Sequence, residues 1–265
     1  MNAILLDGSM GLYLQSKIGD LGKYPELTNI SHASQVREIH AEYAAAGAQI
    51  TTSNTFLVSP YRSTLAEYDI TQMLMKSLTN ALSAGLPIAL DIGPLGRLLE
   101  PYGELSADDV YAEFAAVISA GAPVADYVLL ETFADLREIE IALRAANECC
   151  SKPVFVTATF RADGTTYMGA TVEQFAACAN MCGANVVGFN CTLNPLEARE
   201  VFDRFKACTD IPLLVQPNQI EGAGADEFAD AMMWYVERGA AYVGGCCGTT
   251  PAHIKALGDR IRDAS

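Results

Sequence analysis

The chain has 265 residues, is 51% hydrophobic and 18% charged, and carries a formal net charge of −15. That acidic excess argues against a nucleic-acid partner, which needs a cationic surface, and the apolar content supplies an ample core. Eight cysteines are too sparse for a disulfide scaffold and fit a reducing compartment. With no apolar run of about 18 residues and no signal-peptide pattern ahead of Asp7, the expectation is a cytoplasmic chain with no membrane partner.

In chain order, short apolar runs recur at 3–7, 49–52, 87–91, 126–130, 153–157, 184–189, 211–215 and 241–244. Their apolarity is continuous rather than alternating, as suits strands buried on both faces of a parallel sheet. Helical patterns lie between and after them, at 35–47, 69–84, 106–121, 135–149, 171–182, 195–207, 224–238 and 251–263. Ser106 with Asp109 gives a capping-box-like start. Gly47, Gly85, Gly121, Gly183 and Gly239 are placed to close five helices. Eight β-then-α units predict an α/β fold, a single-domain (β/α)8 TIM barrel over residues 1–265. A doubly wound open sheet is the alternative, but no Gly-x-Gly-x-x-Gly follows the first run.

In such barrels chemistry gathers at the C-terminal ends of the strands. Asp7, Glu131, Cys191 and Cys246-Cys247 all fall there, after the first, fourth, sixth and eighth runs. Adjacent cysteines are poorly placed to bond to each other, yet as thiolates they fill two corners of a tetrahedral zinc site. With Cys191 the set is three, leaving one metal position open, as a catalytic site requires. Cys149, Cys150, Cys178, Cys182 and Cys208 read as core cysteines. His32, His40 and His253 lack metal-ligand spacing and read as surface or structural residues.

The carboxylates admit two readings. Asp7 and Glu131 either cap the segment that follows or hold a substrate ammonium group in a dry pocket. The glycine-rich turn at Gly8 and Ser9 offers backbone N–H groups to a carboxylate. Thr52, Asn54 and Thr55, and likewise Asn190 and Asn218, either orient groups at the site or cap helices.

The block Gly244-Gly245-Cys246-Cys247-Gly248-Thr249-Thr250-Pro251, with Gly188-Phe189-Asn190-Cys191 upstream, resembles the homocysteine S-methyltransferase family. The likeness continues through Leu6-Asp7-Gly8-Ser9-Met10-Gly11, Thr52-Ser53-Asn54-Thr55-Phe56, Ile92-Gly93-Pro94-Leu95-Gly96 and Glu131-Thr132-Phe133, and so covers nearly the whole chain. Within the family it is most similar to the homocysteine-binding module of cobalamin-dependent methionine synthase. The resemblance implies zinc (Zn2+) on Cys191, Cys246 and Cys247, with the substrate thiol as fourth ligand. It implies Asp7 and Glu131 on the amino group of homocysteine and a product, methionine. The implied methyl donor is methylcobalamin on a separate corrinoid protein. A small-molecule donor (S-methylmethionine, S-adenosylmethionine or betaine) is the alternative, and a non-catalytic zinc-binding barrel is a second one.

Overall fold

The computed structural model describes residues 3–264. Eight short strands form one parallel sheet: β1 (Ile4–Leu5), β2 (Thr51–Thr52), β3 (Ile88–Ile92), β4 (Tyr127–Phe133), β5 (Val154–Ala158), β6 (Val186–Asn190), β7 (Leu213–Gln216) and β8 (Tyr242–Val243). Their order is β1-β8-β7-β6-β5-β4-β3-β2, every neighbour parallel. Strands adjacent in sequence are therefore adjacent in space, which rules out the doubly wound alternative with its central reversal.

The two edge strands approach each other at a seam. A single parallel bridge, Leu6 to Ile50, joins them, with Gln49 N donating to Leu5 O at 2.7 Å. Seven buried side chains, Leu6, Ile50, Ala89, Leu129, Phe155, Val186 and Leu214, form a cluster of their own, with Ile4, Tyr127 and Tyr242 packed on it. All eight strand regions contribute, so the sheet curls around this inner layer. Phe155 sits at its middle, its ring 4.7 Å from that of Tyr242 and 5.1 Å from that of Tyr127.

The helices are α1 (Gly11–Ile18), α2 (Thr28–Ser31), α3 (Ala33–Ala45), α4 (Pro60–Ala66), α5 (Ile70–Leu82), α6 (Ala107–Gly121), α7 (Leu136–Cys149), α8 (Val172–Met181), α9 (Arg199–Cys208), α10 (Ala225–Glu237) and α11 (Pro251–Asp263). A larger apolar layer, from Val36 and Ile39 on α3 to Leu257 on α11, packs them against the sheet. Among the described residues no helix is long and apolar enough to cross a membrane.

All eight predicted strands and all eight predicted helices are present. The Ser106–Asp109 capping box forms, its side chains bonding reciprocally to backbone N–H groups. Helices α1, α2 and α4 are additions to the predicted set. Two of them have no side-chain cap at their start, and α4 begins on a Ser59 cap with Pro60 behind it, a signal short enough to pass as a loop. Gly121 does not turn the chain. It is the last residue of α6, where an added Cβ would lie 2.7 Å from Leu90 Cδ2, so glycine is required there for close packing.

Candidate functional site

Asp7, Asp91, Glu131, Cys191, Cys246 and Cys247 all line one cavity of about 460 Å3 at the C-terminal ends of the strands. The backbone around the thiols is tightly tied. Cys191 N donates to Gln216 O (3.0 Å), Cys246 N to Pro217 O (2.9 Å), Gly245 N to Asp7 O (3.1 Å) and Cys247 N to Asn218 Oδ1 (3.1 Å). The glycines of this block are steric necessities. A Cβ on Gly245 would lie 2.4 Å from Thr249 Oγ1, and Gly248 has φ +81°.

Backbone strain marks the same mouth. Thr132, Cys191 and Thr192 hold φ of 65°, 59° and 59°, a region that β-branched and other L side chains seldom occupy. Such conformations cost about 1–3 kcal/mol each and concentrate at functional sites. At Cys191 the strained backbone brings the sulfur to its partners.

The three sulfurs lie within 4.8 Å of one another, and among the described residues this is the one group of three or more metal-ligating side chains so placed. Cys191 Sγ and Cys247 Sγ are 3.6 Å apart, far beyond a disulfide. Metal–sulfur bonds of about 2.3 Å in a tetrahedron give an edge of about 3.8 Å, so the spacing fits zinc. Hydrogen bonds from Cys246, then Cys247, hold the Cys191 thiol far below its ordinary range. The same bonds, with burial, push Cys246 and Cys247 up. Three sulfurs gathered at this spacing suit a soft cation.

Beside the thiols stand three carboxyl groups. Asp7, 3% exposed, accepts from Thr51 Oγ1 (3.1 Å), Thr52 N (2.7 Å) and Thr52 Oγ1 (2.6 Å). Burial raises its carboxyl to about 6 against those bonds. Glu131 lies in an irregular stretch of β4, where the register with β5 shifts between Leu130 and Phe133. Burial, then the Cys191 charge, raises it to about 8. Asn190, wholly buried at the end of β6, connects the two halves. Its Nδ2 donates to Glu131 Oε2 (3.2 Å) and Thr132 Oγ1 (2.7 Å) and lies 3.8 Å from Cys246 Sγ.

The remaining predicted residues divide by what they touch. Gly8, Ser9, Thr52 and Asn54 line the cavity. Ser9 N already donates to Thr249 Oγ1 (3.2 Å), so a carboxylate arriving there competes for it. Thr52 is spent on Asp7, and Asn54 Nδ2 turns to Thr28 and Asn29 at the start of α2. Thr55 donates to Asp91 O at 2.6 Å. His253 caps α11 with Thr250, His32 bonds Ser31 Oγ, and His40 is buried on α3.

Sequence reasoning passes over Asp91 and Gln216. Both are buried, both line the cavity, and each has a buried oxygen with no hydrogen-bond partner. Asp91 ends an apolar run as Asp7 does, and that signal is present in the sequence.

Fold and site together define a parallel α/β protein with a three-thiol, metal-competent centre beside an acidic cavity. The profile of the homocysteine S-methyltransferase family matches residues 4–261. The chain belongs to that family. It is 28% identical to the methionine synthase of Mycobacterium tuberculosis and 30% identical to that of Mycobacterium leprae, in each case over 94% of its own length. It spans only about a quarter of these relatives, 24% and 23% respectively. The homocysteine methyltransferase MmuM of Escherichia coli has a similar fold, with a TM-score of 0.88 for its oxidized form and 0.86 for its metallated form. Those matches cover 98% of this chain and 96% of MmuM, at 23% and 22% identity.

Proposed function

We propose that this chain is a zinc-dependent homocysteine S-methyltransferase that forms methionine, the whole of residues 1–265 making one homocysteine-binding (β/α)8 barrel with its seam between β1 and β2. The observation that carries the reading is the meeting of three thiols and the Asp7 and Glu131 carboxyls in one cavity. Cys191, Cys246 and Cys247 would hold zinc, whose Lewis acidity lowers the pKa of a substrate thiol so that the nucleophile exists at neutral pH. The metallated form of MmuM supports a metal in this fold.

The chain's own residues bind and aim the substrate. Asp7 and Glu131 attract the ammonium group and hold the amino-acid end at a fixed distance from the cysteines. Backbone N–H groups of the Gly8–Ser9 turn receive the carboxylate, and Asn190 keeps Glu131 and Cys246 in fixed relation. Burial of the acidic groups strengthens their hold on a cation, because few waters screen it.

The donor we propose is methylcobalamin carried by a separate corrinoid protein. Its reactive carbon must come within about 3–3.5 Å of the sulfur, which calls for a wide mouth. Leu12, Tyr102, Tyr167, Met168 and Leu196 are exposed large apolar side chains of the loops and helix starts that follow the strands, as suits a docking rim. A small sulfonium or betaine donor is the second reading, favoured by the match to nearly the full length of MmuM. A cationic donor is best held by an aromatic cage, and the cavity lining contains one aromatic side chain, Phe56. Methyl-transfer assays with homocysteine and each donor test the choice. Turnover with methylcobalamin is expected, and rapid turnover with S-methylmethionine, S-adenosylmethionine or betaine alone would overturn it.

A further inference from the structure

The turns that follow β1 and β8 share one buried side chain, that of Thr249, which is 1% exposed. Its hydroxyl donates to Cys246 O at 2.7 Å, and because a carbonyl only accepts, that bond takes its one proton. The oxygen is left to accept, and Ser9 N donates to it at 3.2 Å. Tyr43 ties the same two turns together, its hydroxyl 2.8 Å from Ser9 O and 3.1 Å from Thr249 O. The fit is close. A Cβ on Gly8 would lie 2.7 Å from Thr249 Oγ1, and one on Gly245 would lie 2.4 Å from it. The Ser9 N–H therefore has a fixed position at the wall of the cavity that Gly8 and Ser9 line, with an acceptor already in place.

The consequence rests on the proposed function, in which that turn receives the carboxylate of homocysteine. We infer that the Thr249 hydroxyl is a placeholder for this carboxylate, holding the Ser9 N–H until the substrate takes it. The bond given up is neutral and, at 3.2 Å, lies at the long end of the N–H to oxygen range. The bond gained is charge-assisted and stronger. The exchange strands nothing, since Thr249 keeps its bond to Cys246 O. Every carboxylate that binds must nevertheless displace the hydroxyl. Thr249 acts through Ser9 and is a positioning residue. It lowers the affinity for amino-acid thiols and leaves that for aminothiols without a carboxylate as it is.

Calorimetric titration of the zinc-loaded protein with homocysteine and with 3-mercaptopropylamine tests this. The second ligand has the thiol and the ammonium group but no carboxylate. Thr249→Val keeps the shape and removes the acceptor, so it should bind homocysteine about fivefold more tightly than the parent, the worth of one neutral hydrogen bond. Thr249→Ser keeps the hydroxyl and should stay within about twofold, and 3-mercaptopropylamine should move less than about twofold in both variants. A substitution that merely loosened the turns would weaken binding instead. Unchanged or weaker homocysteine binding in the Val variant overturns the inference. So does an equal gain for 3-mercaptopropylamine, or an equal gain in the Ser variant. The parent supplies a second readout that depends on no variant folding. In proton–nitrogen correlation spectra the Ser9 amide proton should move downfield with homocysteine and not with 3-mercaptopropylamine, as its acceptor changes from hydroxyl to carboxylate. A Ser9 signal unmoved by homocysteine, or moved alike by both ligands, also overturns the inference. A parent that binds 3-mercaptopropylamine as tightly as homocysteine contradicts the carboxylate site of the homocysteine reading itself, an outcome distinct from the others.

Discussion

His40 Nδ1 lies 2.9 Å from the hydroxyl of Thr51, and that hydroxyl also lies 3.1 Å from Asp7 Oδ2. A carboxylate only accepts, so Thr51 donates to Asp7 and has no second proton for the imidazole. His40 therefore carries its proton on Nδ1, leaving Nε2 as a bare acceptor in the core. Burial lowers the imidazole to about 4, which keeps it neutral. The histidine fixes the rotor that fixes the carboxylate.

That relay sets the first prediction. Thr51→Val preserves shape but removes the donor to Asp7 and strands the His40 N–H. A buried unpaired polar group costs about 1–3 kcal/mol, to be read as a lower urea midpoint. His40→Leu should raise the homocysteine KM roughly fivefold, the worth of about 1 kcal/mol, through a less constrained Asp7. His40→Asn places an amide N–H near the position of Nδ1 and should recover most of the loss.

The metal prediction is a stoichiometry. The parent should retain one zinc per chain after dialysis against a weak chelator. Ala at Cys191, Cys246 or Cys247 should lose it, whereas Cys178→Ala and Cys182→Ala should not. Elemental analysis is sufficient, and full zinc in the triple Ala variant would refute the site.

Glu131→Gln removes a carboxyl that can ionise against the ammonium group and no metal ligand. Losing a charge-assisted hydrogen bond costs roughly 1.5–3 kcal/mol, so the homocysteine KM should rise about 10- to 150-fold with zinc content unchanged. Asp7→Asn should raise KM similarly and also lower the melting temperature. Its new amide N–H, in one of its two orientations, faces the Thr52 N–H that the carboxylate now accepts.

The fourth prediction concerns Glu138, 5% exposed on α7 and accepting from Leu95 N at 2.7 Å. Burial raises its carboxyl from 4.5 to about 7 in spite of that bond. The folded state thus keeps a proton up to about pH 7 that the unfolded chain releases near 4.5. Where the folded state binds more protons, stability falls as pH rises. The fall should run from about pH 4.5 to 7 and reach about 3 kcal/mol before levelling off. Glu138→Gln should flatten this slope, seen by comparing urea unfolding at pH 5 and pH 8.

Much of the fold and site is legible in the sequence because strand ends carry the chemistry and apolar runs reveal strand ends. Cys191, Cys246-Cys247, Asp7 and Glu131 are found that way, and the structure brings them to one cavity. Asp91 escapes because a carboxylate ending an apolar run gains meaning only from its neighbour. Its neighbours at the strand ends come from β1 and β4, and no local pattern announces which strands will pair. His40 escapes for a related reason. Its partner lies 11 residues away on another element, and no ligand spacing announces a second histidine. Asn190 stands in the sequence only as an ambiguous neighbour of Cys191, although it contacts both Glu131 and Cys246.

The seam between β1 and β2 has a consequence for how this chain can vary. Where other strand pairs share two or more ladder positions, these edges share one bridge, and the Asp7 side chain adds three hydrogen bonds across the gap. One carboxylate therefore serves the architecture and the ligand at once. A replacement that satisfies either demand alone is rejected by the other, so position 7 cannot drift by single steps. Change there requires matching change at Thr51 and Thr52, and those three positions should be inherited as a unit.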